Sequence, residues 1–121
     1  MEIAAKLQLK TAQGIRVVDA PADLALELPM SDQSSAGAIL VFVRSTDQLT
    51  RRLNDVRNAA LADRLTWVAY PKAGRLGTDL NRDRLAVLLE GAGIRPVRQV
   101  ALDETWSALR LRPRTRGAPT A

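Results

Sequence analysis

The sequence predicts an α/β fold: one open sheet of about five strands, mostly parallel, with an antiparallel C-terminal hairpin and about three helices. Three observations carry that expectation. Ala38-Ile39-Leu40-Val41-Phe42-Val43 is an unbroken apolar run, the mark of a strand buried on both faces in a central parallel position. Two helix-period segments, one after Ser45 and one after Thr78, alternate with strand-like runs, and strand–helix–strand units pair in parallel with right-handed crossovers. The last two strand-like runs are joined by little more than Asp103-Glu104, a link too short for parallel strands.

The elements follow in order. Residues 2–9 place Ile3, Ala4 and Leu7 on one helical stripe, and Gly14 ends that region. Ile15-Arg16-Val17-Val18 is a short strand, stopped by Asp19-Ala20-Pro21. Residues 20–37 read as loop, with Leu24, Leu26 and Leu28 alternating ahead of Pro29 and a Ser/Asp/Gln/Gly run. The apolar run from Ala38 is the second strand. Ser45 followed by Gln48 fits a capping box, and Leu49, Leu53, Val56 and Ala60 continue at helical spacing.

Leu65 to Tyr70 is the third strand, closed by Pro71. Thr78 or Asp79 is expected to cap the next helix, which buries Leu85, Leu88 and Leu89 and stops at Gly91 and Gly93. Pro96 to Leu102 is a fourth strand and Trp106 to Arg112 a fifth. Residues 1–112 form one domain by length, and 113–121, with two Pro, one Gly and two Arg, form a disordered basic tail.

Composition narrows the chemistry. The chain has no His and no Cys, which excludes disulfides, thiol nucleophiles, Ser-His-Asp triads and the usual zinc or iron sites. A carboxylate-only Mg²⁺ site stays formally open, but no metal and no cofactor is expected. Phe42, Trp67, Tyr70 and Trp106 are the only aromatics, so the core is mostly aliphatic. Eighteen basic residues, three of them Lys, face thirteen acidic ones for a net charge of +5. A pI of about 10.7 is the footprint of a nucleic-acid binder, although Arg-rich usage also tracks genome composition. No segment approaches the ~18 apolar residues of a membrane span, and the N-terminus, with Glu2, is not a signal peptide. Cytoplasmic residence follows as the expectation.

Strand, helix, strand, helix and a terminal hairpin resemble the C-terminal half of class I S-adenosylmethionine methyltransferases. That likeness implies the strand order 1-2-3-5-4 with the fifth strand reversed. The phrases Tyr70-Pro71-Lys72, Thr78-Asp79-Leu80-Asn81-Arg82-Asp83 and Asp103-Glu104-Thr105-Trp106-Ser107-Ala108-Leu109-Arg110 resemble a group of small bacterial proteins. That second likeness covers roughly residues 5–112 and implies no activity. The cofactor motif of the methyltransferases is missing. Their first strand feeds a Gly-rich turn, whereas here it runs into Asp19-Ala20-Pro21-Ala22-Asp23, with no Gly between Gly14 and Gly37.

Parallel strands put their carboxyl ends on one edge, where open α/β sheets bind ligands. That edge collects Asp19, Arg44, Ser45, Lys72, Thr78, Asp79, Asp103 and Glu104, a mixed-charge set suited to a small zwitterionic or anionic ligand. Capping alone also explains Ser45, Thr78 and Asp79. Arg98, Arg110 and Arg112, with Trp106 beside them, make the candidate nucleic-acid surface. Trp67 and Trp106 otherwise read as core. Three helices for five strands leave one sheet face thinly covered, which invites a homodimer or a protein partner.

Three functions therefore compete. The first expectation is a non-catalytic interaction module on a degenerate methyltransferase-like fold. The second is a small anionic-ligand binder, or an enzyme, on the strand-end edge. There Asp19, Asp79 or Asp103 would do acid–base work while Lys72 or Arg44 holds an anion. The third is nucleic-acid contact through the Arg-rich hairpin.

Overall fold

A computed structural model describes residues 3–9, 14–22, 24, 28, 37–72 and 74–113. Along the chain lie α1 (Ile3–Lys6), β1 (Ile15–Val18), β2 (Ala38–Phe42), α2 (Thr46–Leu61), β3 (Leu65–Pro71), a 3₁₀ turn (Arg75–Gly77), α3 (Arg82–Gly91), β4 (Ile94–Ala101) and β5 (Trp106–Pro113). One sheet joins all five strands in the order β1-β2-β3-β5-β4. β1, β2 and β3 pair in parallel, and β5 runs antiparallel to both β3 and β4. The expected order and the reversed fifth strand are both present. The anticipated tail beyond Pro113, and the expected Leu26, Pro29 and Ser/Asp/Gln segments, lie outside the described residues.

The apolar run makes β2 the centre of both cores. Ile39 and Val41 face one side with α2 and α3; Ala38, Leu40 and Phe42 face the other. On the helix side, Leu49, Val56, Ala59 and Ala60 of α2 and Leu85 and Leu89 of α3 close over Val68, Leu109 and Ile94. Each Leu, Ile or Val among them contributes roughly 1.5–3 kcal/mol when taken fully out of water.

The second face is better covered than the helix count suggests. Among the described residues only two substantial helices occur, of 16 and 10 residues, and the N-terminal element is a single four-residue turn. Yet Leu40, Trp67 and Ala69 are 0% exposed and Phe42 1%. Leu7 is buried among them, and Ile3, Leu9, Leu24 and Leu28 pack against the cluster. The indole Nε1 of Trp67 donates to the Leu7 carbonyl at 3.1 Å, which pins the N-terminal turn to the sheet. The thin cover inferred from counting helices is therefore corrected: leucines without regular structure do the work of a helix.

The α3 cap also differs from expectation. Asn81, not Thr78 or Asp79, caps α3 and accepts the Arg84 N–H at 2.8 Å. At the other end Gly93 adopts φ 88°, a left-handed value natural to glycine, so the chain enters β4 at Ile94, two residues before the expected Pro96. A bulge between Pro96 and Arg98 then shifts the β4 register. As an edge strand carrying a proline, a bulge and two exposed arginines, β4 is poorly suited to pair with another chain.

Candidate functional site

The carboxyl ends of β1 to β4 and the amino end of β5 share one edge, as parallel pairing requires. The residues expected there reach it but do not converge. Lys72 apart, they divide into three groups.

Asp19 belongs to the first. It ends β1 at φ 61°, and its carboxylate receives Arg52 Nε at 2.8 Å, Arg52 Nη2 at 3.1 Å and Gln48 Nε2 at 3.4 Å. The Arg52 hydrogen bond, aided by that residue's charge and by Gln48, holds the carboxyl below its ordinary value against the opposing effect of burial. Ser45 caps α2, accepting the Gln48 N–H at 3.1 Å. Gln48 Oε1 reaches past the cap to the Arg44 N–H at 2.8 Å, so the capping box closes one residue early.

The second group is the turn before α3. Asp79 accepts the main-chain N–H of Thr46 at 2.9 Å, so it caps α2 from 33 residues away. That hydrogen bond is the main reason its carboxyl sits below the ordinary value. Thr78 Oγ1 accepts the Leu80 N–H at 3.0 Å, an internal turn contact. These residues do structural work.

The third group surrounds Trp106. Asp103 Oδ1 accepts the N–H of Thr105 at 2.8 Å and of Trp106 at 2.7 Å, closing the β4–β5 turn. Arg44 lies over the Trp106 ring, 5.8 Å from its centroid. The ring meets Phe42 edge to face at 5.1 Å and is 3% exposed. Trp106 is thus core, and its expected role in stacking on a nucleic acid is corrected. A niche of about 110 Å³ lies between Arg44, Asp103 and Trp106. Glu104 is exposed on the turn.

Lys72 alone of the expected set lines the larger concavity, an open cleft of about 740 Å³ on the helix side of the edge. That volume falls within the ~300–1,000 Å³ typical of small-molecule sites. Its floor is a polar row across three strands. Tyr70 of β3 lies directly opposite Ser107 of β5, whose hydroxyl bonds the phenol oxygen, and Gln99 Nε2 of β4 donates to that oxygen at 3.2 Å. Burial raises the Tyr70 pKa above its ordinary value, only partly offset by Arg82. The phenol therefore stays protonated at neutral pH and serves as a hydrogen-bonding group, not a base. The first turn of α3 supplies Asn81, Arg82 and Asp83 to one wall. Arg82 and Asp83 approach only to 3.6 Å on exposed side chains, a weak pairing that leaves Arg82 and Lys72 to dominate the rim.

Sequence reasoning missed Tyr70, Asn81, Arg82, Asp83, Gln99 and Ser107 as site residues. One signal was present: Ser107 is polar at a position whose neighbour two residues on, Leu109, is core, and its hydroxyl needs a partner when buried. Among the described residues no His/Cys/Asp/Glu group is placed to hold a metal ion, and no helix is long and apolar enough to cross a membrane.

The chain matches no family model, no curated protein and no solved structure. A functional reading therefore rests on the chemistry of the site.

Proposed function

We propose that this chain is a binding module for a small anionic ligand, held without chemical conversion in the cleft between the first turn of α3 and the β4–β5 hairpin. The observation that carries the reading is the Gln99–Tyr70–Ser107 row on the cleft floor beneath the cationic rim of Lys72 and Arg82. A phosphate, sulfate or carboxylate sits at the rim, while hydroxyl or carbonyl groups of the same ligand reach the floor. A neutral phenol, an amide and a hydroxyl give hydrogen-bonding direction, and the floor offers no strong base. The degenerate methyltransferase-like fold belongs to the same proposal, supported by the order β1-β2-β3-β5-β4 with β5 reversed. Asp19, in the turn after β1 where that family carries its Gly-rich segment, is engaged by Arg52 and Gln48, which favours a ligand other than that family's cofactor.

The interaction-module reading rests on the absence of His and Cys chemistry and on a thinly covered sheet face. Burial of Leu40, Trp67 and Ala69 within the chain weighs against the second ground, and the cleft supports the ligand reading.

The test is a thermal-shift screen with orthophosphate, a mononucleotide, a sugar phosphate, citrate and S-adenosylhomocysteine. A ligand at about 100 times its Kd adds about 2.7 kcal/mol to stability. At least one phosphate or carboxylate compound should raise the Tm of the wild type, and Lys72→Ala should abolish the shift. A Lys72→Ala protein that responds like the wild type removes the proposal.

A further inference from the structure

The second face of the β4–β5 hairpin carries four arginines with little acid beside them. Arg95 lies directly opposite Arg112, and Arg98 directly opposite Arg110. Arg110 is also opposite Trp67, whose ring is in the second-face core, and its Nη1 donates to Gln8 Oε1 at 3.1 Å. Cross-strand partners and alternate residues of one strand share a face, so all four side chains stand on the side away from α2 and α3. The bulge decides this. Before it Pro96 faces Leu111; after it Arg98, not Val97, faces Arg110.

Like charges directly opposite each other destabilise a sheet. Among the described residues, one carboxylate reaches the group: Asp63, 3.7 Å from Arg112 and 83% exposed. Arg110 is half-buried, and its Nε is buried with no hydrogen-bond partner among the described residues. Burial and the adjacent Arg112 and Arg98 hold its pKa below the usual guanidinium value.

We propose that this arginine ladder is a nucleic-acid interface that grips the phosphodiester backbone without reading bases. The two cross-strand pairs, Arg95–Arg112 and Arg98–Arg110, are rooted about 7 Å apart along β5, at ~3.4 Å per residue. A small anion neutralises one pair; a linear polyanion engages both. Guanidinium forks bind phosphate oxygens bidentately. Trp67 and Trp106 are 0% and 3% exposed, so no indole is presented for bases to stack upon. Affinity is then electrostatic and indifferent to sequence. The ladder lies on the opposite sheet face from the cleft, so it stands or falls independently of the small-ligand reading.

The experiment is fluorescence anisotropy of the full chain with labelled single strands and duplexes of about 20 nucleotides, between about 50 and 200 mM salt. The wild type should bind, with unrelated sequences equivalent and a log–log salt slope near −3 for the single strand, as about four phosphate contacts give. The double reversal Arg95→Glu/Arg98→Glu alters exposed side chains and should retain the wild-type circular dichroism spectrum. It should weaken binding at least about tenfold and flatten the single-strand slope by about 1.4. Lys72→Ala should bind like the wild type. No binding at low salt, or undiminished binding by a folded Arg95→Glu/Arg98→Glu protein, would overturn the proposal. So would polyglutamate competing as well as unlabelled oligonucleotide at equal charge.

Discussion

Arg52 closes a two-pronged ion pair on Asp19, its Nε 2.8 Å from one carboxylate oxygen and its Nη2 3.1 Å from the other. The pair ties the end of β1 to the middle of α2, across a turn in which Asp19 itself holds a left-handed φ of 61°. A residue expected at a ligand edge is thus a clamp between an edge strand and a helix.

The clamp makes stability depend on pH with a definite sign. The folded-state pKa of Asp19 is depressed below 3.8, so its contribution is complete above the unfolded value and is lost as pH falls through the folded one. Both side chains are about a third exposed, which limits the pair to under about 1 kcal/mol. Asp19→Asn, which tolerates the left-handed backbone, should lower the unfolding free energy from urea titration at neutral pH by that amount. The difference from wild type should vanish once the pH lies below the folded pKa.

Asp103 should matter to the hairpin more than its exposure suggests. Its Oδ1 accepts two main-chain N–H groups, each such bond being worth about 0.5–1.5 kcal/mol net. Asp103→Ala should cost about 1–2 kcal/mol, read as a lower melting temperature together with a changed near-ultraviolet signal from Trp106. Asp103→Asn should keep most of that stability.

Trp67→Phe should loosen the N-terminal turn. The substitution strands the buried Leu7 carbonyl, a loss of about 1–3 kcal/mol before any cavity is counted. Hydrogen exchange should accelerate at Leu7 and its neighbours while the α2 amides keep their order of protection.

Leu76 holds φ 55° and is 55% exposed, an expensive backbone for a leucine that buries little. Asn adopts this region readily. Leu76→Asn should raise stability by about 0.5–1 kcal/mol in urea unfolding.

What the sequence revealed was local or topological. The apolar run ending at Val43 could only be a two-faced strand, and Asp103-Glu104 could only turn back on itself, so β2 and the reversal of β5 were legible. What stayed hidden depended on register and on contacts distant in sequence. Asp79 was expected at α3 because that helix is next in the chain, yet it caps α2 across 33 residues. The bulge after Pro96 carries no sequence mark, and it alone turns Gln99 toward the cleft and Arg98 toward Arg110. Of the candidate cleft, only Lys72 was visible beforehand, because Tyr70 and Ser107 become neighbours solely through the β3–β5 pairing.

The most direct measurement is an amide NMR titration of the labelled protein with the tightest small anion from the thermal screen, on the wild type and on Lys72→Ala. The cleft account predicts saturable shifts grouped at Lys72, Arg82, Asp83, Gln99 and Ser107, greatly weakened in the variant. Shifts confined to Arg95, Arg98, Arg110 and Arg112, or equal in the two proteins, would contradict it.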